Sequence, residues 1–141
     1  AMVAQGAVGV DLEACRGRAN PVALARRFFS AAEAAAVDAA GERERERRFL
    51  RCWTRREAVL KASGRGIGVD LQALDVGLAP APMRLRLPGD GHDLHVEDLD
   101  LRADWIGALC VALPDGASQP PAVYMAGHLV APVRGDTDIA A

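Results

Sequence analysis

The chain has 141 residues, 50% of them hydrophobic and 26% charged, with a net charge of −2. That length suits one globular domain with a real core, and the near-neutral balance excludes a global basic field for nucleic acid or an anionic membrane. No apolar run approaches the roughly 20 residues of a membrane span, and no charged-then-apolar leader opens the sequence. Cys15, Cys52 and Cys110 are odd in number and form no Cys-x-x-Cys pair, so reduced thiols in a cytoplasmic protein are expected. Ala1-Met2 reads either as a residue left before a start codon or as a cut domain boundary.

In chain order, the first element expected is a half-buried strand over 6–13, where apolar and polar residues alternate. Asn20-Pro21 reads as an N-cap followed by proline at the first helical position, opening a helix through Phe29. Ser30-Ala-Ala-Glu33 is a capping-box pattern, so a second helix begins there and ends at Gly41. Glu42 to Ala62 has neither proline nor glycine and predicts a long helix. Its opening run, Glu42 to Arg48, mixes charge signs and reads as a solvated, self-paired surface. Met83 to Leu87 and Leu94 to Val96 alternate as strands do. The alternation slips by one before Leu99 and Leu101, which predicts a bulge or turn near Glu97-Asp98. Trp105 to Leu113 is a continuous apolar run suited to a central strand. The expected fold class is α+β, with helices packed on an antiparallel sheet. The domain is expected over 1–117, with 118–141 as a C-terminal extension.

Chemistry concentrates in two places. Asp11 and Glu13 lie two apart on a strand, so their carboxylates share a face about 7 Å apart. Such a pair repels unless a cation or donor intervenes, although a strand running into solvent also carries acids. On the long helix, Glu57 sits at the rim of the apolar stripe, with Arg51 and Arg55 on the opposite face and Lys61 one turn further on. Lys61 is the only lysine among 17 basic residues, which marks a position suited to a compact ammonium rather than a planar guanidinium. The plain alternative is an i,i+4 ion pair worth about 0.3–0.5 kcal/mol. Gly64 and Gly66 either cap the helix or let backbone N–H groups approach a phosphate. Together, three carboxylates suit Mg²⁺, which takes a few carboxylates, waters and phosphate oxygens. A lysine and a glycine loop beside them suit a diphosphate.

These residues resemble the 4′-phosphopantetheinyl transferases. The family's Gly-x-Asp-x-Glu strand stands here as Gly9-Val-Asp11-Leu-Glu13. Its Trp-x-x-Lys-Glu-x-x-x-Lys helix stands as Trp53-Thr-Arg-Arg56-Glu57-Ala-Val-Leu-Lys61, followed by Gly64-Arg-Gly66. Arg27-Phe-Phe-Ser30-Ala-Ala-Glu33 also matches, and order and spacing agree over roughly residues 6–113. The resemblance implies transfer of 4′-phosphopantetheine from coenzyme A to a serine of an acyl or peptidyl carrier protein. It implies that Asp11, Glu13 and Glu57 bind Mg²⁺, and that Glu57 helps deprotonate the serine. Lys61 would steady the diphosphate and favour departure of adenosine 3′,5′-bisphosphate. Arg56, Lys61, Ser63, Gly64, Arg65 and Gly66 would meet coenzyme A. Arg16, Arg18, Arg26 and Arg27 could meet an acidic carrier surface.

The chain departs from the family in three ways. Arg56 stands where a lysine is usual, keeping charge but not geometry. The Ser-x-Ser-His-like segment that helps hold coenzyme A is not recognisable, and His92, His95 and His128 read as surface residues. The motifs are those of the long, surfactin-synthetase type, a pseudo-dimer of about twice this length, whose C-terminal lobe this chain resembles. The length instead resembles the holo-acyl-carrier-protein synthase type or a domain of a megasynthase. In each case another copy or segment must complete the site, so a homo-oligomer or a second lobe is expected. A competing reading is a non-catalytic docking module for carrier proteins. RNA binding by the arginine-rich helix is disfavoured by the acids within that run and by the scarcity of aromatics.

Overall fold

The computed structural model describes residues 6–17, 20–65, 70–89 and 91–113. The expected extension over 118–141, together with Arg18, Gly66 and His128, lies outside the described residues. Strand β1 spans Val8–Ala14, followed by helices α1 (Pro21–Phe28), α2 (Ala31–Asp38) and α3 (Glu42–Ser63). Strands β2 (Met83–Leu85), β3 (Leu94–Asp98) and β4 (Trp105–Ala112) complete the order. The four strands form one antiparallel sheet in the order β1-β4-β3-β2. The apolar run at Trp105 therefore becomes an interior strand, as its composition predicts. The architecture is α+β, as expected.

Local chemistry sets the helix starts. Asn20 takes a left-handed backbone (φ 56°), which asparagine tolerates better than most residues, and its Oδ1 accepts from the Ala23 N–H at 3.0 Å. Ser30 and Glu33 close a reciprocal capping box, each satisfying an amide that the new helix leaves open. Helix α2 stops earlier than expected. Gly41 is not its terminator but the N-cap of α3; the Ala39 and Ala40 amides meet the Ala35 and Val37 carbonyls, and the others near the end of α2 are met from α3. Arg45 donates to the Asp38 and Ala40 carbonyls and Arg48 to the Ala36 carbonyl. Arg47 reaches the Ala103 carbonyl at 2.7 Å, while Glu46 accepts from the Arg16 and Gly17 amides. The second half of the charged run, Arg45 to Arg48, thus ties neighbouring elements together, while Glu42, Arg43 and Glu44 stay exposed as expected.

Helix α3 is covered on two sides. Toward α1 and α2, Phe29 stacks on Phe49 with centroids 5.1 Å apart, and Phe49 stacks on Trp53 at 5.9 Å. Toward the sheet, Ala58 and Ala62 lie against β1 at Gly9, where an added Cβ would fall 1.9 Å from the Ala58 carbonyl oxygen. The main core joins both sides, from Ala25 and Val37 through Leu50 and Val59 to Val96 and Cys110. A smaller cluster of Leu99, Leu109 and Val111 lies on the opposite sheet face. Because both faces are apolar, the alternation slip near Asp98 has another cause than a bulge. Pairing runs unbroken from Leu94↔Ala112 to Asp98↔Ala108 and on to the Leu99 N–H with the Gly107 carbonyl. Asp98 occupies a helix-facing position because it binds Arg55 at 2.6 Å and Arg51 at 2.9 Å.

The long helix therefore carries buried cations. Arg55 and Arg56 are 0% and 1% exposed, whereas the sequence pattern assigns Arg55 to an open face. Their guanidiniums are paired, as burial demands. Arg56 meets Glu33, also fully buried, and lies 4.3 Å over the Phe29 ring. Burial raises the Glu33 carboxyl, but the Arg56 hydrogen bond and charge, with Ser30 and the Val76 amide, outweigh it and hold the group below its ordinary range. His95 is likewise buried rather than at the surface, 3.2 Å from the Glu97 carboxylate on the outer sheet face. His92 is exposed, as expected. The three cysteines are free, and burial pushes the Cys52 and Cys110 thiols up to about 11 and about 12. Among the described residues no helix is long and apolar enough to cross a membrane.

Two outcomes follow from this packing. Gly9→Ala forces β1 off α3 and should cost about 1–3 kcal/mol or more in denaturant unfolding. Glu33 is more acidic folded than unfolded, so the unfolded chain takes up its proton first and stability falls as pH drops through the carboxylate range. Urea titrations between about pH 7 and about pH 3 should show that loss in the parent and a shallower one in Glu33→Gln. The variant itself should be weakened at neutral pH by about 3–5 kcal/mol, since it leaves Arg56 buried without its counter-charge.

Candidate active site

The close contact of β1 with α3 determines what meets what. Gly9, Asp11 and Glu13 share the helix-facing side of the strand, and the missing Cβ at Gly9 lets the strand lie against the helix backbone. Asp11 is thereby brought to Lys61. The Nζ donates to Asp11 Oδ1 at 2.7 Å and to the Val10 carbonyl at 3.0 Å. Lys61 thus bridges to the strand, an arrangement that spacing along the helix does not reveal. Half of the Asp11 carboxylate is left over. Its Oδ2 is buried with no hydrogen-bond partner, a placement that normally demands an explanation.

Glu57 lies one turn before Lys61 and is partly buried, consistent with the rim position its place in the apolar pattern predicts. Glu13 is partly buried and lines a cavity of about 390 Å³ together with Arg16, Glu46 and Trp105. Among the described residues, no three His, Cys, Asp or Glu side chains are gathered closely enough to hold a metal ion by themselves. The donor set still suits Mg²⁺, a hard ion that usually takes one or two carboxylates and completes its shell with water and substrate phosphate. The orphaned Asp11 Oδ2 is the oxygen such an ion would satisfy.

Helix α3 ends where the phosphate loop is expected. Gly64 caps it in the left-handed conformation (φ 66°), which glycine adopts at little cost. The Ser63 hydroxyl donates back to the Leu60 carbonyl at 3.1 Å. Arg65 is exposed. Lys61, Ser63, Gly64 and Arg65 therefore stand at one helix end. Arg56 does not join them. It is buried on the α2 side, where Nη2 donates to the Leu74 carbonyl at 2.7 Å, Nε to the Leu71 carbonyl at 3.3 Å and Nη1 to the Cys52 carbonyl at 3.3 Å. A guanidinium so engaged is part of the packing, and a direct coenzyme A contact is not assigned to it. Its partner Glu33 is legible in the sequence as a capping residue alone. The signal for its second role is an acid placed within an alanine-rich helix beside two phenylalanines.

A family model described as the 4′-phosphopantetheinyl transferase superfamily matches residues 7–110. The chain belongs to that superfamily. Among curated relatives of this superfamily member, the 4′-phosphopantetheinyl transferase HetI of Nostoc sp. (strain PCC 7120) is 35% identical over 80 residues, covering 56% of this chain and 33% of HetI. The 4′-phosphopantetheinyl transferase Sfp of Bacillus subtilis (strain 168) is 26% identical over 111 residues, covering 77% of this chain and 48% of Sfp. The 4′-phosphopantetheinyl transferase AcpT of Escherichia coli (strain K12) is 43% identical over 60 residues, covering 43% of this chain and 31% of AcpT. The match thus spans at most about half the length of each of these relatives.

The Lys61–Asp11 pair is half-exposed at the lysine, with 48% of that side chain in solvent against 15% for the aspartate. A bridge of that kind contributes about 0.2–1 kcal/mol. Lys61→Ala should therefore leave the thermal midpoint within a few degrees of the parent in a melting experiment, which separates its chemistry from its stability.

Proposed function

We propose that this chain carries out, or forms one lobe of the site for, Mg²⁺-dependent transfer of 4′-phosphopantetheine from coenzyme A to a serine of an acyl or peptidyl carrier protein. The observation that carries this reading is the junction of β1 and α3. There the lone ammonium, Lys61, meets Asp11 at 2.7 Å and leaves one carboxylate oxygen buried and unpartnered. Membership of the superfamily and the names of the relatives support it.

In this reading the serine oxygen forms a bond to the phosphorus carrying the pantetheine arm. The bridging P–O bond of the diphosphate breaks, and adenosine 3′,5′-bisphosphate leaves. Asp11 would hold Mg²⁺ with Glu13 or Glu57 as a second carboxylate, water and phosphate oxygens completing the shell because the three acids are not gathered at one point. When bound, the ion neutralises charge building on the diphosphate oxygens. Glu57 accepts the serine proton, directly or through a water. Lys61 offers a positive charge to the departing phosphate and keeps Asp11 oriented. The Gly64 turn at the end of α3 lets a phosphate approach the backbone closely because no side chain intervenes there. Arg26 and Arg27, both exposed near the end of α1, offer cationic contacts to an acidic carrier surface. Arg26 would exchange its solvent-exposed pairing with Asp38, which costs little. A second copy of the chain or a second lobe supplies the remaining coenzyme A contacts.

Intact mass spectrometry of an apo-carrier with coenzyme A and Mg²⁺ tests the reaction. The carrier should gain the mass of one phosphopantetheine group. Binding of the carrier without that gain would favour the docking-module reading, for which the ungathered carboxylates speak. Glu57→Gln should abolish transfer, and Lys61→Arg should lower it strongly, with both folded. Mg²⁺ should raise the melting temperature of the parent, because a ligand bound only by the native state stabilises it. It should not raise that of Asp11→Asn. An equal response in both would remove Asp11 from the metal site.

A further inference from the structure

We propose that the cavity at the far end of β1 receives the carrier segment that bears the acceptor serine, with Leu12 and Trp105 as its apolar, specificity-determining seat. The inference rests on the functional reading above and adds to it a direction of approach and two residues that the family motifs leave unspecified. Helix α3 and strand β1 lie side by side and run in opposite directions. Gly9 meets Ala58 and Ala62, Lys61 reaches Asp11 at 2.7 Å, and Glu46 accepts from the Arg16 and Gly17 amides, each at 3.2 Å. Lys61, Glu57 and Glu46 therefore follow one another along the helix, while Asp11, Glu13 and Arg16 follow one another along the strand. In phosphoryl-type transfer the attacking and leaving oxygens lie roughly in line across phosphorus. With Lys61 at the departing phosphate, the serine must arrive from the opposite end. Glu57, which takes the serine proton, lies on that side of Lys61, about 6 Å along the helix axis. Glu13 lies on the same side of Asp11, about 7 Å along the strand.

The cavity of about 390 Å³ opens at that end, lined by Leu12, Glu13, Arg16, Glu46 and Trp105. It reaches both faces of β1 because β1 is the outer strand of the sheet. Glu13 points to the helix side. Leu12 and Trp105 share the other face, where Ala14 pairs with Trp105 on the neighbouring strand. Among the described residues three large apolar side chains are exposed, and two of them, Leu12 at 47% and Trp105 at 37%, line this one cavity. An open tryptophan with an aliphatic neighbour is a common anchor for a protein partner. The charge around it fits an acidic one. Arg16 is exposed at the rim, and Arg26 and Arg27 are exposed on the helix that follows. The Glu46 carboxylate is engaged with backbone amides and holds the Arg16–Gly17 turn in place. Apolar seat and cationic rim together suit a segment of an acidic carrier with an apolar residue beside its serine.

The probes are an apo-acyl carrier protein and an apo-peptidyl carrier domain, each prepared also with the acceptor serine changed to alanine, so that docking is read without transfer. In calorimetric titration with the serine-free form that binds the parent better, Trp105→Ala should weaken affinity roughly tenfold and Trp105→Phe no more than about twofold. Steady-state kinetics of Trp105→Ala should show KM for the carrier raised roughly tenfold, with kcat and KM for coenzyme A within about twofold. Leu78→Ala, which removes the third exposed apolar side chain, should bind as the parent does. Unchanged carrier affinity in Trp105→Ala, or an equal loss in Leu78→Ala, overturns the proposal. So does a rise confined to KM for coenzyme A, which would give the cavity to the pantetheine arm. If Trp105→Ala does not fold, Leu12→Ala decides instead, with a loss of roughly threefold expected and no loss overturning the proposal. Transfer by the parent that persists undiminished in Trp105→Ala removes the seat and leaves the functional reading standing. Binding through Trp105 without transfer does the reverse, and a parent that binds neither probe overturns both.

Discussion

The site depends on how closely β1 approaches α3. At Gly9 the strand backbone lies where any side chain would collide with the Ala58 carbonyl and the Ala62 amide, and that contact brings Asp11 within reach of Lys61. Small residues on both sides make the approach possible: glycine on the strand, alanines on the helix. The glycine that opens the Gly-x-Asp-x-Glu motif is thus a spacing device. It places a carboxylate two residues further on against an ammonium from a separate element.

A second constraint is the set of buried arginines. Charges are rarely taken out of water unless they are fully paired, and here each has its partners. Asp98 neutralises Arg55 and supports Arg51 from the sheet, while Glu33 neutralises Arg56 from α2. Helix α3 is consequently tied by ion pairs to the layers on its two sides, with the aromatic stack of Phe29, Phe49 and Trp53 packing on the side of α1 and α2. Such pairs are worth less for net stability than for register. A helix held at defined points on both sides presents Glu57 and Lys61 in one orientation.

Much of the fold was legible because local rules and tertiary structure agree. The Asn20-Pro21 and Ser30–Glu33 caps and the uninterrupted long helix rest on interactions within a few residues, and the interior strand at Trp105 announces itself by an unbroken apolar run; all stand where the pattern places them. Several of the readings that changed share one cause: the folded chain supplies a charged residue with a partner distant in sequence, which spacing along the chain does not reveal. Arg55 with Asp98 is separated by 43 positions and Arg56 with Glu33 by 23. Even the apparent slip in strand alternation was the trace of one such partner, Asp98, standing in an apolar row.

By itself the sequence determined the element types, the family motifs and the identity of the groups able to do chemistry, since caps, periodicity and motif spacing are short-range properties. Only the tertiary structure decided which cation meets which carboxylate. It turned Arg56 inward to Glu33 and left Lys61 to Asp11. The physical reason is that pairing in a folded chain follows distance through space and the cost of burying an unpartnered charge, and neither quantity is written in the separation of residues along the chain.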